Sequence, residues 1–344
     1  MILEEIEQIV KQPLSRFRST YQLALASEVE IIGHIGDQLY ENHGKQLRPL
    51  LLMLSAGASG AHFEGKEQLA VAIELLHNST LLHDDVVDES DMRRGVPSIR
   101  SQYGNKTAVL CGDYFLAKVM LLLNEYNDRE VNRIIDLTVM EMSTGELLQQ
   151  RRSLQMDEDI NHYRDTIYRK TASLMGACTE LGALGTPWRN AMRDFGRHFG
   201  MAFQLRDDIL DYTPSATTGK PTGNDLKEHK MTLPLIAYLH SQPDTTKATL
   251  QSFLRSGELN DSIVTGIVAA VAASDALDNC RRYIDEELQQ AEQILQALPA
   301  SAYRNGIQEL LQLLQTSKHQ SKIKTLGLQE SQEAYHSLGD QRVQ

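Results

Sequence analysis

Residues 68–89 read QLAVAIELLHNSTLLHDDVVDE, and their apolar side chains recur at three- and four-residue spacing. That period draws one stripe along a helix. The stripe runs into acid: Asp84, Asp85 and Asp88 stand at i, i+1 and i+4. Residues four apart stack on one helix face, so Asp84 and Asp88 point the same way. Like charges at that spacing cost a few tenths of a kcal/mol per pair, a cost that a hard cation between them offsets. Residues 205–211, LRDDILD, repeat the arrangement with Asp207, Asp208 and Asp211. Mg²⁺ takes oxygen ligands and is typically held by one or two carboxylates together with substrate phosphates. Two such faces set opposite each other would hold several Mg²⁺ ions with a diphosphate between them. A single acidic cluster reads equally well as a solvated helix end; two, each following an apolar run, do not.

Outward from these stretches helical periodicity continues. It predicts helices near 16–41, 47–58, 65–91, 105–127, 128–152, 158–184, 188–212, 232–241, 247–256, 260–297 and 300–317, with most of the nine prolines where helices start or stop. No series of short alternating strands breaks the pattern. No Gly/Ser-rich linker divides the chain, so one all-α domain is expected over 1–317, followed by a polar tail over 318–344. The stretch 213–230, TPSATTGKPTGNDLKEHK, is the longest loop, and loops of that length inside a domain are more often functional than idle.

The chain has 344 residues, 41% hydrophobic and 23% charged, with a net charge of −12. That is the composition of a soluble globular protein. The negative balance disfavours nucleic acid and anionic membrane surfaces as partners. Cys111, Cys178 and Cys280 form no metal-binding spacing, which fits a reduced, cytoplasmic setting. The N-terminus carries acids where a signal peptide carries bases. The longest apolar stretch, Ile263 to Ala273, is too short to span a bilayer. No transmembrane segment is expected; peripheral membrane contact at product release stays compatible with this.

Cations complete the pattern. Lys45 and Arg48 fall at i, i+3 where a helix begins, a natural anion site. Arg93 and Arg94 follow the first acidic cluster, and Arg suits bidentate phosphate contacts. Lys170 and Thr171 lie mid-helix in apolar surroundings, and Lys220 and Lys230 lie in the long loop. Singly each reads as surface charge. Together with the carboxylates they indicate two diphosphate sites, one bridged by metal and one held directly by Lys, Arg and His.

GKQLRP (44–49), ELLHNSTLLHDDVVDESDMRRG (74–95), FQLRDDILDYT (203–213) and GKPTGNDLKEHKMTLPL (219–235) closely resemble, in this order, the trans-isoprenyl diphosphate synthases of the long-chain octaprenyl/heptaprenyl type. The resemblance implies a single-domain bundle of antiparallel helices around a central cavity, the isoprenoid synthase fold. It implies head-to-tail condensation of isopentenyl diphosphate onto an allylic diphosphate, with three Mg²⁺ ions per substrate-bound site and a homodimer. It implies that Asp84, Asp85, Asp88, Asp207, Asp208 and Asp211 bind the metal. Arg93, Lys170 and Lys230 match positions that hold the allylic diphosphate, with Lys220 beside them in the loop. Lys45, Arg48, His77 and Arg94 match the isopentenyl diphosphate site, and Thr171 and Gln204 match residues beside the developing carbocation. Departures occur at His43 and at His229 in Glu228-His229-Lys230, where relatives usually carry glycine, and at Gln46, where they carry a base; Lys45, Arg48 and Lys230 are kept.

Chain length is read from the residues just before Asp84. Ser79 and Thr80 are small where short-chain relatives resemble an aromatic plug, so a tunnel for a long product is expected. Ala72 extends the small stripe, Leu75 and Leu76 narrow it, and Cys111 to Lys118 is expected to form the facing wall. Three other readings compete. A metal phosphohydrolase built on His77, His83 and Asp84 leaves the second cluster unused. A terpene cyclase gives Lys45, Arg48 and His77 no purpose. A regulatory subunit would be expected to lose the aspartates, although this chain could be the catalytic half of a heteromer.

Overall fold

The computed structural model describes residues 2–213, 222–256 and 259–315. The first half contains α1 (Ile2–Ile9), α2 (Lys11–Leu25), α3 (Glu30–Glu41), α4 (Leu47–Ser59), α5 (Lys66–Val87), a hairpin of β1 (Met92–Arg93) and β2 (Val96–Pro97), α6 (Ile99–Tyr103), α7 (Asn105–Tyr126) and α8 (Arg129–Gln155). The second contains α9 (Ile160–Ile167), a π turn over Tyr168–Ala172, α10 (Ser173–Gly182), α11 (Arg189–Asp211) and the short α12 (Asn224–Lys227). It closes with α13 (Leu233–His240), α14 (Asp244–Ser256), α15 (Asp261–Ala272), α16 (Ala276–Ala297) and α17 (Ala302–Leu314). The all-α expectation is met. The polar tail and Lys220 lie outside the described residues.

Two expected long helices are each broken by local side-chain bonding. The stretch 16–41 divides after Leu25: Ala26 is extended, and the Ser27 hydroxyl accepts from the Val29 N–H instead of leaving it to a helix. The stretch 260–297 divides at Ser274, whose hydroxyl donates to the Val271 carbonyl and accepts from the Ala276 N–H. The helix expected over 65–91 stops at Val87, and Glu89 enters the left-handed region. β1 and β2 then pair Met92 with Pro97 and Arg93 with Val96. Arg94 and Gly95 both have positive φ, the signature of a tight two-residue hairpin turn. Arg93 and Arg94 therefore sit on a hairpin.

The core gathers around α5, α10 and α11. α5 packs on α7, α10 on α4 and α11, and α11 on α16. Tyr21, Tyr163, Tyr212, Phe115, Phe195 and Phe199 are fully buried among them. α8 lies against the π turn, and only a glycine permits that approach: a Cβ on Gly145 would stand 2.5 Å from the Lys170 nitrogen.

α7 is long and apolar enough to cross a membrane, by length and composition alone. Asp113 and Lys118 interrupt it, so it escapes notice as an apolar run. Ala108, Cys111, Phe115, Val119 and Leu123 are buried, while Val109, Leu110, Met120 and Leu121 are exposed. The composition thus serves two apolar faces, one of them packed in the core. Leu137, Met140, Leu147 and Leu154 of α8 are exposed as well.

Candidate active site

Both acidic clusters end helices. Asp84 and Asp85 occupy the last turn of α5 and Asp88 caps it; Asp207, Asp208 and Asp211 close α11. A helix C-terminus carries the negative end of the macrodipole and favours cations. Each helix therefore adds its field to that of its own carboxylates.

Helical geometry divides each cluster. Asp84 and Asp88 are half-buried, while Asp85 is buried and accepts from Arg93 Nε at 2.8 Å and from a terminal nitrogen of the same guanidinium. Asp207 is exposed and Asp208 is buried. Asp208 accepts from the Tyr163 hydroxyl at 2.5 Å and from Gln204 Nε2 at 2.8 Å. Gln204 Oε1 in turn accepts from the Thr171 hydroxyl at 2.9 Å. Asp211 accepts from the Asn224 and Asp225 N–H groups at 3.0 and 2.9 Å, anchoring α12 to the end of α11.

Lys230 joins the two clusters. Its Nζ lies 2.9 Å from Asp88 Oδ2 and 2.5 Å from Glu228 Oε2, and its charge also acts on Asp208 and Asp211. Burial opposes the ammonium, but Glu228 and Asp88 outweigh it and raise Lys230 above its ordinary value. Lys170, in the π turn, pairs with Glu146 of α8 and acts on Asp84. Burial raises Asp84 to about 6, with Lys170 opposing and Glu146 and Asp88 adding to the shift. Asp208, Asp211 and Asp225 are likewise raised by burial.

These residues fit a hard divalent cation. The donors are carboxylate oxygens at negative helix ends, without thiolate or imidazole among them. Among the described residues no three His, Cys, Asp or Glu side chains form a closed metal cage. Paired carboxylates with open positions are what Mg²⁺ needs when phosphate oxygens complete its shell.

A second, cationic pocket is assembled from distant segments. Arg48 stands in the first turn of α4, Lys45 in the turn before it, His77 on α5 and Arg94 at the hairpin tip. Gly44 has φ +63°, and a Cβ there would lie 3.0 Å from the Arg94 guanidinium carbon. Arg94 donates to the Asn42 carbonyl. Arg48 Nε is buried without a hydrogen-bond partner, a donor left for an anion. Burial and the charges of Arg48, Arg94 and Arg93 push His77 well below its ordinary value, so the ring is neutral. Glu74 lies buried behind these cations, and burial raises it. The hairpin thus places neighbouring arginines on two sites: Arg93 against Asp85, Arg94 against the Gly44 turn.

Ser79 is buried, and its hydroxyl donates to the Gly112 carbonyl at 2.8 Å, which puts the Cys111–Lys118 stretch opposite it. Thr80 donates to the His77 carbonyl at 2.8 Å. Sequence reading overlooked Glu146, Tyr163, Asp225 and the pairing role of Glu228. Glu146 directly follows the glycine that admits the π turn, and Glu228 stands two residues from Lys230; those adjacencies were the available signals.

The Polyprenyl synthetase family model matches residues 29–271. The chain is 37% identical over 294 residues, 84% of its length and 90% of the relative's, to an all-trans-nonaprenyl-diphosphate synthase (geranyl-diphosphate specific) of Rhodobacter capsulatus. It is 32% identical, over 89% of its length and 96% of the relative's, to an octaprenyl diphosphate synthase of Escherichia coli. The crystal structure of a polyprenyl synthase from Caulobacter crescentus, complexed with calcium and isoprenyl diphosphate, superposes with a TM-score of 0.86 at 30% identity, covering 91% of this chain and 97% of that one. Two acid-ended helices, a lysine between them and a cationic pocket alongside are therefore found in a chain that belongs to the polyprenyl synthetase family, among relatives that make long all-trans chains.

Proposed function

We propose that this protein is an all-trans long-chain polyprenyl diphosphate synthase. It joins isopentenyl diphosphate head to tail to an allylic prenyl diphosphate, giving a product of roughly C30–C50 that serves as a quinone side-chain precursor. The observation that carries this reading is the reach of Lys230: paired with Asp88 and within the field of Asp208 and Asp211, it sets both acidic helix ends on one site.

Asp84 and Asp88 on one side and Asp207 and Asp211 on the other would hold Mg²⁺, three ions with substrate bound. The ions supply Lewis-acid neutralisation of the charge that grows on the leaving diphosphate. Calcium in the Caulobacter complex supports a divalent ion in this role. Asp85 and Asp208, expected as ligands, act by fixing Arg93 and the Gln204–Thr171 pair respectively. Lys170, Lys230 and Arg93 hold the allylic diphosphate; Lys220 was expected beside them and lies outside the described residues. As the allylic carbon–oxygen bond breaks, these fixed cations stabilise the departing charge without reorganisation. Thr171 and Gln204 offer oxygen lone pairs to the developing allylic cation. Lys45, Arg48, Arg94 and neutral His77 hold isopentenyl diphosphate, so its double bond attacks at close range. A carbon–carbon bond forms, and the proton lost in restoring the alkene passes to the released diphosphate.

The exposed apolar face of α7 and α8 supports a homodimer. Replacing Met140 and Leu154 together by Glu should turn a dimer into a monomer in sedimentation. The three cysteines are buried free thiols, in keeping with a cytoplasmic protein. The deciding experiment supplies Mg²⁺, isopentenyl diphosphate and geranyl or farnesyl diphosphate, then sizes the products. Elongation to long all-trans chains is expected. Hydrolysis alone, or a cyclic hydrocarbon from the primer alone, refutes the reading; turnover only with a second protein would make this the catalytic half of a heteromer.

A further inference from the structure

Arg152 is buried in the last turn of α8, 5% exposed, and its ion pair with Asp157 is long, 4.0 Å from Nε to Oδ2. One terminal nitrogen donates to the Met231 carbonyl at 3.1 Å and to the Asp157 carbonyl at 3.3 Å. The guanidinium lies over the Tyr163 ring, 5.4 Å from its centre. Its Nε is buried without a hydrogen-bond partner. A buried cation served this way is a poor device for stability, since apolar residues of similar volume do as well or better. What distinguishes Arg152 is where its contacts lead. Met231 follows Lys230, the lysine that pairs with Asp88. Tyr163 donates to Asp208, which holds Gln204 and through it Thr171.

We propose that Arg152 is a positioning residue for the diphosphate site, clamping the segment that carries Lys230 onto the Tyr163–Asp208 face so that the lysine ammonium stands between the two acidic helix ends. The clamp joins the corner between α8 and α9 to the stretch of chain after α12, 79 residues further on. Without the bond to Met231, the 228–232 segment keeps the backbone bonds of Glu228, His229 and Lys230 to Asn224, Leu226 and Asp225, the Thr232 hydroxyl's long bond to Tyr212, and Lys230's own ion pairs, none of which reaches α8. The ammonium then samples positions away from Asp88, and the diphosphate loses a preorganised partner. Because Thr171 and Gln204 are held from Asp208 by bonds that Arg152 does not make, the bond-breaking step is affected less than substrate binding.

This inference rests on the proposed activity, and its test separates the two. Arg152→Met keeps buried volume but removes the donors; Arg152→Lys keeps the charge and a single donor nitrogen without the planar fork. Two quantities are read on the full-length protein: KM and kcat for the allylic primer, and the affinity for inorganic pyrophosphate with Mg²⁺, measured by calorimetry without turnover. Arg152→Met should raise KM and weaken pyrophosphate binding roughly tenfold, the order expected for losing one charge-assisted hydrogen bond, with kcat changing less than threefold. Arg152→Lys should recover part of the loss, and it carries the test should the Met variant fail to fold. A variant that melts earlier but keeps wild-type KM and pyrophosphate affinity makes Arg152 merely structural and overturns the proposal. So does a fall in kcat with KM unchanged. If the wild-type protein binds pyrophosphate but elongates nothing, the activity fails while the clamp is still judged by binding.

Discussion

Replacing Lys230 by Met should move two affinities in opposite directions. Its ammonium lies 2.9 Å from Asp88, and both side chains are largely shielded, 17% and 16% exposed. At an effective dielectric of about 20, a unit pair at that separation attracts by about 6 kcal/mol. Desolvation cancels much of this, leaving a net of about 1.5–3 kcal/mol for a charge-assisted hydrogen bond. In the resting protein that energy opposes Mg²⁺, because a cation approaching Asp88 must first displace the lysine. Lys230→Met should therefore tighten Mg²⁺ binding to the ligand-free protein roughly tenfold. It should also raise the KM for the allylic diphosphate roughly ten- to a hundredfold, since one phosphate partner is gone. The first effect is read by calorimetric titration of the apo protein with MgCl₂, the second by initial rates at saturating metal. If the variant binds Mg²⁺ no more tightly than wild type, Lys230 does not compete for Asp88. If KM also stays fixed, the assignment of Lys230 to the diphosphate is wrong.

Asp84 gives a stability signature. Burial raises its folded-state value to about 6, above the ordinary carboxylate, so the folded protein binds more protons than the unfolded chain between about pH 4 and 6. The metal-free protein should accordingly lose stability as pH rises through that window, and Asp84→Asn should flatten the loss in thermal scans; an unaltered slope in the variant would remove Asp84 as the source. Gly44→Ala forces a side chain into the left-handed region against Arg94. It should raise KM for isopentenyl diphosphate several-fold while leaving primer KM unchanged, as measured by initial rates with each substrate varied. Ser79→Phe should shorten the product in chromatographic sizing, but it must also displace the Gly112 contact, at an overpacking cost of about 1–3 kcal/mol. Thr80→Phe, from a half-buried position, should shorten it with less thermal penalty; unchanged lengths in both variants would place the tunnel elsewhere.

The helices and both acidic clusters were legible because their information is local. Spacing of four on a 3.6-residue period places Asp84 with Asp88 and Asp207 with Asp211, whatever the tertiary fold. The same period also turns Asp85 and Asp208 away, but spacing alone does not say that Arg93 or Tyr163 waits there. The breaks at Ala26 and Ser274 depend on single serine hydroxyls competing with backbone bonds, a choice that hydrophobic periodicity does not reveal. The hairpin at 92–97 was hidden because Arg94, not glycine or asparagine, takes the first left-handed position. Arg152 and Tyr163 carried no motif. Their importance comes from contacts to Met231 and Asp208, across 79 and 45 residues of chain.

The π turn at Tyr168–Ala172 has one more effect. Wider winding lets a helix absorb one surplus residue, so the side chains beyond it are rotated about 100° from where uniform winding would carry them. Lys170 can then pair with Glu146 and Thr171 with Gln204 while Leu174, Met175, Cys178 and Leu181, a turn or two later, are devoted wholly to the interior. Excising a single amino acid within the turn would regularise the coil and keep both flanking helices in phase, but it would take Lys170 or Thr171 away from Glu146 or Gln204. The wide turn thus holds two polar side chains in place without disturbing the register of the scaffold on either side of it.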